Sequence, residues 1–373
     1  MRIGMVIYGR LDTLTGGYLY DRFLVEALRR RGHQVELIPL VSKPYARALL
    51  DNLRHGIASQ LNGRPWDLLL QDALCHPSLV WINRRLHARR RMRIVAIVHQ
   101  VLSRQPRRPW LNLAYRRIER AYLETTDGLL FASRFTRDAA RELIGTDRPM
   151  LVAPPGGNRL GRIASERTIY ERSHRSGPLD ILFAGNLSPV KGLDLLLESL
   201  SRLPHSMWRL AVAGSLTANP RHARRIGDWL SSRGLESQVR LLGVVDGQNL
   251  AALYTTSQVF AMPFAHEGFG IAALEAMAFG LPVIGSTAGG VKEFVRHAEN
   301  GFLVAAGDHA AVCRHLAGLH SDRGRLAAMG ARALHTFSAL PTWGQSMNRV
   351  CAFLEKVANV VPSMRTDHDR LGT

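Results

Sequence analysis

The sequence predicts an α/β protein built from two doubly wound parallel-sheet domains that face each other across a cleft, and three observations carry that prediction. Short apolar runs alternate with amphipathic helical patterns in both halves of the chain, as strands buried on both faces require. A polar stretch punctuated by glycine and proline, 156–178, separates the two series. At 373 residues the chain is long enough for two cores of ordinary size.

The elements follow in order. Arg2–Tyr8 is a short buried strand, because Ile3, Met5, Val6 and Ile7 run directly into Gly9. A loop reaches Gly16-Gly17, and residues 18–31 place Leu19, Phe23, Leu24, Ala27 and Leu28 at helical spacing, with Gly32 at the stop position. Residues 35–40 form the next strand. The pattern continues with strands at 67–71 and 93–99, a helix at 111–125, and strands at 128–132 and 150–153. The second series reads as strand 179–184, helix 193–203, strand 208–213, helix 221–233, then strands 239–242, 259–262 and 282–285, with a helix over 271–279. Helices at 310–319 and 326–337 follow. A last helix near 347–358 is expected to cross back to the first domain, and the tail after Pro362 is expected to be disordered. The predicted units are therefore 1–160, 178–345 and the returning helix 346–360.

The composition, 46% hydrophobic and 21% charged, is that of a soluble globular protein. No run of about 18 apolar residues exists to span a bilayer, and the apolar start at Met1–Tyr8 is too short for a signal peptide. Cys75, Cys313 and Cys351 are odd in number, far apart and in apolar contexts, which fits buried thiols in a reducing cytoplasm. The net charge of +19 is concentrated early: residues 1–150 hold 26 Lys and Arg against 13 Asp and Glu. It peaks at Arg84-Arg85, at Arg89-Arg90-Arg91 with Arg93, and from Arg104 to Arg120. Three explanations stand beside one another: an arginine-rich composition, an anionic membrane surface, and nucleic acid. Around Trp110, a helix would place Leu111, Ala114, Tyr115 and Ile118 on one face. That face either packs on its own sheet or leans on a membrane with Arg104, Arg107 and Arg108.

Three turns carry chemistry. The most informative runs from Pro263 through Glu267-Gly268-Phe269-Gly270 to Glu275 and Gly280. Its glycines bring backbone close to a ligand and leave amides free at a helix start, where an anion or a polar oxygen is favoured. Glu267 and Glu275 lie two helical turns apart, and each carboxylate can accept two vicinal hydroxyls. The second turn is Gly185-Asn186-Leu187-Ser188-Pro189-Val190-Lys191-Gly192, which delivers a lysine just before a helix, as a departing diphosphate requires. The third is Ala288-Gly289-Gly290-Val291-Lys292-Glu293. No Gly-x-Gly-x-x-Gly is present, so a dinucleotide fingerprint is absent.

The Glu-x7-Glu frame, ending in Glu-Ala-Met-Ala-x-Gly-x-Pro-Val-Ile, resembles family 4 of the retaining GT-B glycosyltransferases. The resemblance covers nearly the whole chain and is sharp at 183–193 and 263–293. It implies that Glu275 holds the donor ribose and that Glu267 serves the donor sugar, with the amides of Gly268, Phe269 and Gly270 nearby. It further implies that Lys191 meets the diphosphate and that Gly16-Gly17 approach it. Gly185, Asn186, Gly289 and Gly290 line the donor, and His99 is an active-site histidine at a strand end. Asn186 stands where the family has an arginine, and Pro154-Pro155-Gly156-Gly157-Asn158 replaces another family turn. Ser133-Arg134 match a weaker motif. The activity implied is transfer of a hexose-type sugar, with retention, from a nucleotide-diphosphate sugar to a hydroxyl of a glycan, lipid-linked or small-molecule acceptor. The donor belongs to the second domain and the acceptor to the first. No cofactor is implied and no metal is expected, since no His, Cys and Asp cluster has ligand spacing along the chain. The implied location is cytoplasmic, peripheral on the inner face of the membrane. The rivals are a sugar-nucleotide epimerase, an inverting transferase, and a basic nucleic-acid binder on a degenerate transferase fold. No nucleic-acid motif supports the last, so no nucleic-acid partner is expected.

Overall fold

A computed structural model describes residues 1–88, 92–161 and 164–359. The arginine run 89–91 and the tail after Pro362 lie outside the described residues. The first sheet is built from β1 (Arg2–Tyr8), β2 (Gln34–Leu40), β3 (Leu68–Asp72), β4 (Arg93–Val98), β5 (Gly128–Phe131) and β6 (Met150–Val152). All pair in parallel in the order β2-β1-β3-β4-β5-β6. Six helices join its strands: α1 (Gly16–Arg30), α2 (Tyr45–Leu49), α3 (His55–Asn62), α4 (His76–Ala88), α5 (Pro109–Leu123) and α6 (Arg134–Ile144).

After α7 (Glu166–Ser173), the second sheet collects β7 (Leu179–Ala184), β8 (Trp208–Ala213), β9 (Val239–Gly243), β10 (Val259–Ala261), β11 (Val283–Ser286) and β12 (Gly301–Val304). Its order is β12-β11-β10-β7-β8-β9, again all parallel. Its helices are α8 (Leu193–Leu200), α9 (Pro220–Ser231), α10 (Gly247–Thr256), α11 (Ile271–Ala278), α12 (His309–Ser321) and α13 (Arg323–Ser338). The two sheets in this arrangement are a GT-B fold.

The sequence of the closing helix explains its destination. In α14 (Trp343–Asn359), Trp343, Met347, Val350, Cys351, Leu354 and Val357 recur at three- and four-residue spacing and are buried. They share one apolar core with β1, α1 and β4 of the first sheet, and Trp343 stacks on Phe23 at 4.1 Å. The first domain's core is therefore completed by the returning end of the chain.

Three expectations are corrected. The stretch 156–178 is not wholly a connector: α7 lies within it. Its buried Arg172 donates to the carbonyls of Phe279 (2.9 Å) and Gly280 (2.8 Å), which anchors this helix to the second domain. Strand β3 ends one residue later than its pattern suggests, because Asp72 continues the ladder opposite Ile97 despite its charge. On α5, Leu111, Tyr115 and Ile118 are partly buried and Tyr115 stacks on Tyr45 at 3.8 Å. Ala114, expected on that face, is exposed, and the large apolar residues that α5 exposes are Trp110 (65%) and Leu113 (49%).

Candidate active site between the two sheets

Strand order locates the site. In the second sheet the chain runs outward from β7 to β9 and then restarts at β10 on the other side of β7, so β7 and β10 flank the point where the order reverses. Ligands in doubly wound sheets bind outside the carboxyl ends of the strands at that point. The turn 185–192 follows β7 and the turn 263–270 follows β10, which brings Lys191 and Glu267 together: the lysine Nζ donates to Glu267 Oε2. The two turns are also tied by the Ala265 amide donating to the Val190 carbonyl at 2.8 Å. Gly192 has φ +79° and opens α8, and a Cβ there would collide with the Pro263 carbonyl. A side chain at 192 would therefore part Lys191 from Glu267.

The remaining second-domain positions surround this pair. The Gly290 amide donates to the Glu267 carbonyl at 3.1 Å, and Gly289 pairs with Glu267 as an isolated bridge. Gly270, at φ +99°, caps α11, with the ring of Phe269 buried behind it. Gly185 follows β7, facing the Met262 sulfur. Asn186 faces the other domain: its Nδ2 donates to the Leu14 carbonyl at 2.9 Å, while its Oδ1 accepts from the Ser215 amide at 3.0 Å.

Glu275 lies deeper than a solvated helix start. It is 2% exposed, and its two carboxylate oxygens are taken by the Nε and Nη2 of Arg159, with the Tyr254 hydroxyl 3.3 Å away. Burial pushes the Glu275 carboxyl up, and Arg159 and Tyr254 offset part of that shift. Arg159 has no sequence motif around it, and its role is visible only in the folded chain.

The first domain supplies the facing wall, also at a reversal point, between β1 and β3. His99 follows β4, and its Nε2 lies 3.0 Å from Asp21 Oδ1 on α1. Asp72, the last residue of β3, joins them: one ligand atom from each of Asp21, Asp72 and His99 lies within 4.8 Å of the others. That spacing could hold a cation. It is hidden in the sequence because its members come from three elements. Asp21 Oδ2 is buried without a partner. Burial lowers the imidazole's affinity for a proton, but Asp21 by charge and hydrogen bond, and Asp72 by charge, raise it above its ordinary value. Burial pushes Asp72 up to about 7, with His99 opposing and Asp21 adding. Gly16 and Gly17 open α1, with Gly16 near Ile271 of α11 and Gly17 against the His99 ring.

The two walls touch. A Cβ on Gly268 would collide with the His99 carbonyl, so glycine there sets how closely the sheets approach. Ser133 Oγ donates to the Gly268 carbonyl at 2.7 Å, and Glu293 accepts from the Phe135 amide at 2.7 Å at the start of α6. The Phe135 ring lies 5.8 Å from His266 and beneath the Lys292 ammonium.

Residues 166–336 match the family model described as glycosyl transferases group 1. The chain is 33% identical over 227 residues to a D-inositol 3-phosphate glycosyltransferase of Xylanimonas cellulosilytica, covering 58% of this chain and 54% of that protein. It is 32% identical over 235 residues to the protein of that name from Geodermatophilus obscurus, covering 58% and 50%. The chain thus spans about half the length of the curated relatives it matches. Among solved structures it is similar to sucrose-phosphate synthase from Thermosynechococcus elongatus, with TM-score 0.79 at 20% identity over 95% of this chain and 98% of that one. It is also similar to Anabaena HepE in complex with UDP-glucose, with TM-score 0.75 at 19% identity over 95% and 100%. These likenesses carry the GT-B fold, and the family match lies in its second domain.

Proposed function

We propose that this chain is a glycosyltransferase that moves a hexose-type sugar, with retention, from a nucleotide-diphosphate donor to an acceptor hydroxyl. The observation that carries the reading is the contact of Lys191 with Glu267 at the β7/β10 reversal, where the His99 carbonyl of the first domain packs on neighbouring Gly268. A lysine and free helix-start amides suit a leaving diphosphate, whose charge grows as the glycosidic bond breaks. Glu267 holds sugar hydroxyls and Glu275 the ribose, with Arg159 offsetting part of the burial cost of the Glu275 carboxylate. Attack comes from the face the diphosphate leaves, through an oxocarbenium-like transition state, and the departing phosphate takes the acceptor's proton. The protein supplies position and charge stabilisation, with no metal in the chemistry. Asn186 spends its side chain on the Leu14 loop, so Lys191 is the cation for the phosphates in this turn.

The acceptor lies in the first domain. We place the chain on the inner face of the cytoplasmic membrane, where Trp110 and Leu113 of α5 are exposed beside Arg108, Arg116 and Arg117. No helix among the described residues is long and apolar enough to cross a membrane.

HepE is solved with UDP-glucose, which makes a UDP-sugar the first donor to test. A bound nucleotide sugar at a hundredfold its dissociation constant adds about 2.7 kcal/mol of stability and should raise the melting temperature. Glu275→Ala should weaken that binding by about 1.5–3 kcal/mol, the worth of a charged hydrogen bond. Lys191→Ala should cost more in turnover than in donor affinity. No thermal shift with any UDP- or GDP-sugar, or a product of inverted anomeric configuration, would overturn the reading.

A further inference from the structure

Arg159 belongs to neither donor turn, yet it stands at the Glu275 carboxylate. It lies in the stretch between β6 and β7, and the backbone around it is held on both sides. Asn158 Oδ1 accepts from the Trp343 amide at 3.0 Å, and Leu160 packs against the second domain's core. Just before them, a Cβ on Gly157 would meet Leu274 of α11 at 2.9 Å, so the chain runs close against the helix that carries Glu275. The Arg159 side chain, 26% exposed, is the part left able to turn.

Glu275 has too few oxygen lone pairs for every group that needs it. A carboxylate offers about four lone-pair sites. Arg159 takes two of them through Nε and Nη2, and the Tyr254 hydroxyl approaches Oε2 at 3.3 Å. Two vicinal ribose hydroxyls need two sites, so ribose and Arg159 compete for the same oxygens. When the ribose takes them, the Tyr254 hydroxyl, anchored also on the Ala272 carbonyl at 3.0 Å, stays beside the carboxylate. Arg159 is then turned out with its charge.

A large negative charge is due close by. The terminal phosphate of a nucleoside diphosphate carries about −1.5 to −2 near pH 7, and the inner phosphate adds to it. Lys191 is already paired with Glu267, and Asn186 brings no charge. Lys292 lies over the Phe135 ring, while Arg107 donates to the Leu102 carbonyl and lies over the Tyr115 ring, so the first domain holds both. Gly270, at the start of α11, is five residues before Glu275, which is about 7.5 Å along the helix axis. A long arginine side chain swinging from Glu275 covers that distance.

We infer that Arg159 is a donor-binding residue that pairs with Glu275 until the ribose displaces it, and then supplies the diphosphate with the positive charge that Asn186 does not. The inference rests on the donor reading of this cleft and adds a residue to it.

Calorimetry on the whole chain tests it by comparing a nucleoside diphosphate (UDP, or GDP if UDP does not bind) with the nucleoside alone. The proteins are wild type, Arg159→Gln and Arg159→Lys. In Arg159→Gln the diphosphate should bind about tenfold more weakly or worse, while the nucleoside, freed from competition, should bind at least as well as to the wild type. A residue that only shaped Glu275 would weaken both ligands by the same factor. That result, or an unchanged diphosphate affinity, overturns the inference. Should Arg159→Gln not fold, Arg159→Lys decides alone. Its ratio of diphosphate to nucleoside affinity should still fall, because an ammonium meets phosphate as a point charge and not as a fork, and an unchanged ratio overturns the inference. Wild type that binds neither diphosphate removes the donor reading itself, and this inference with it.

Discussion

At the residue scale, the telling group is Asp21, Asp72 and His99, where Asp72 and His99 are both held above their ordinary values. Asp72 is held up to about 7, chiefly by burial. An acid whose folded value lies above its unfolded one contributes stability that is complete below its ordinary value of 3.8 and lost as pH rises through about 7. His99 acts in the same direction, since its carboxylate neighbours hold it above 6.5. The wild type should therefore lose melting temperature between about pH 5 and pH 8. Asp72→Asn keeps an oxygen for the Leu74 amide, which now donates to Asp72 at 2.9 Å, but removes the titration. Its melting temperature should be flatter over that window. A slope equal to that of the wild type would mean that Asp72 is already ionised in the fold. His99 was legible in the sequence because it ends an apolar strand. Asp21 and Asp72 were not: each reads as an ordinary surface acid until α1, β3 and β4 are laid side by side.

At the scale of elements, α14 ties the chain's end to its start. Arg31 and His33, on either side of the turn after α1, both reach Glu355, the histidine at 3.0 Å. Leu354 is fully buried in the first domain's core. Leu354→Ala should cost about 2–5 kcal/mol, as cavities of that size do. The loss should appear as a lower urea midpoint with UDP affinity nearly unchanged. If donor binding falls as far as stability does, the second domain also depends on this helix. The returning helix was readable from its apolar spacing, and so were eleven of the twelve strands among the described residues. Helices α2, α3, α4, α6, α7 and α10 were not read. Arginines interrupt the apolar stripe of α4 (Leu79, Val80, Ile82 and Leu86), and α2, α3 and α7 are too short for a period to show. Burial against neighbours, rather than intrinsic propensity, makes them helices.

At the scale of the whole molecule, the first domain's positive charge and exposed apolar residues lie together. Leu50 and Leu53 (63%) are exposed next to α4, which carries exposed Trp81, Arg84 and Arg85, and α5 also packs on α4. Each Lys or Arg near an anionic bilayer contributes about 1 kcal/mol. The protein should therefore sediment with vesicles containing anionic lipid at low salt and release at high salt. Trp110→Ser with Arg108→Ser should weaken the association. Wild type that stays in the supernatant at low salt removes the membrane from the proposal and leaves a soluble acceptor. By itself the sequence determined the two parallel sheets, the strand-end turns and the second domain's motif residues, because apolar period and glycine placement are local properties. Only the tertiary structure decided which distant groups meet: Lys191 with Glu267, Arg159 with Glu275, Asn186 with Leu14, and Asp21 and Asp72 with His99. Those meetings depend on strand order and on how closely two sheets approach, and neither is written in any window of neighbouring residues.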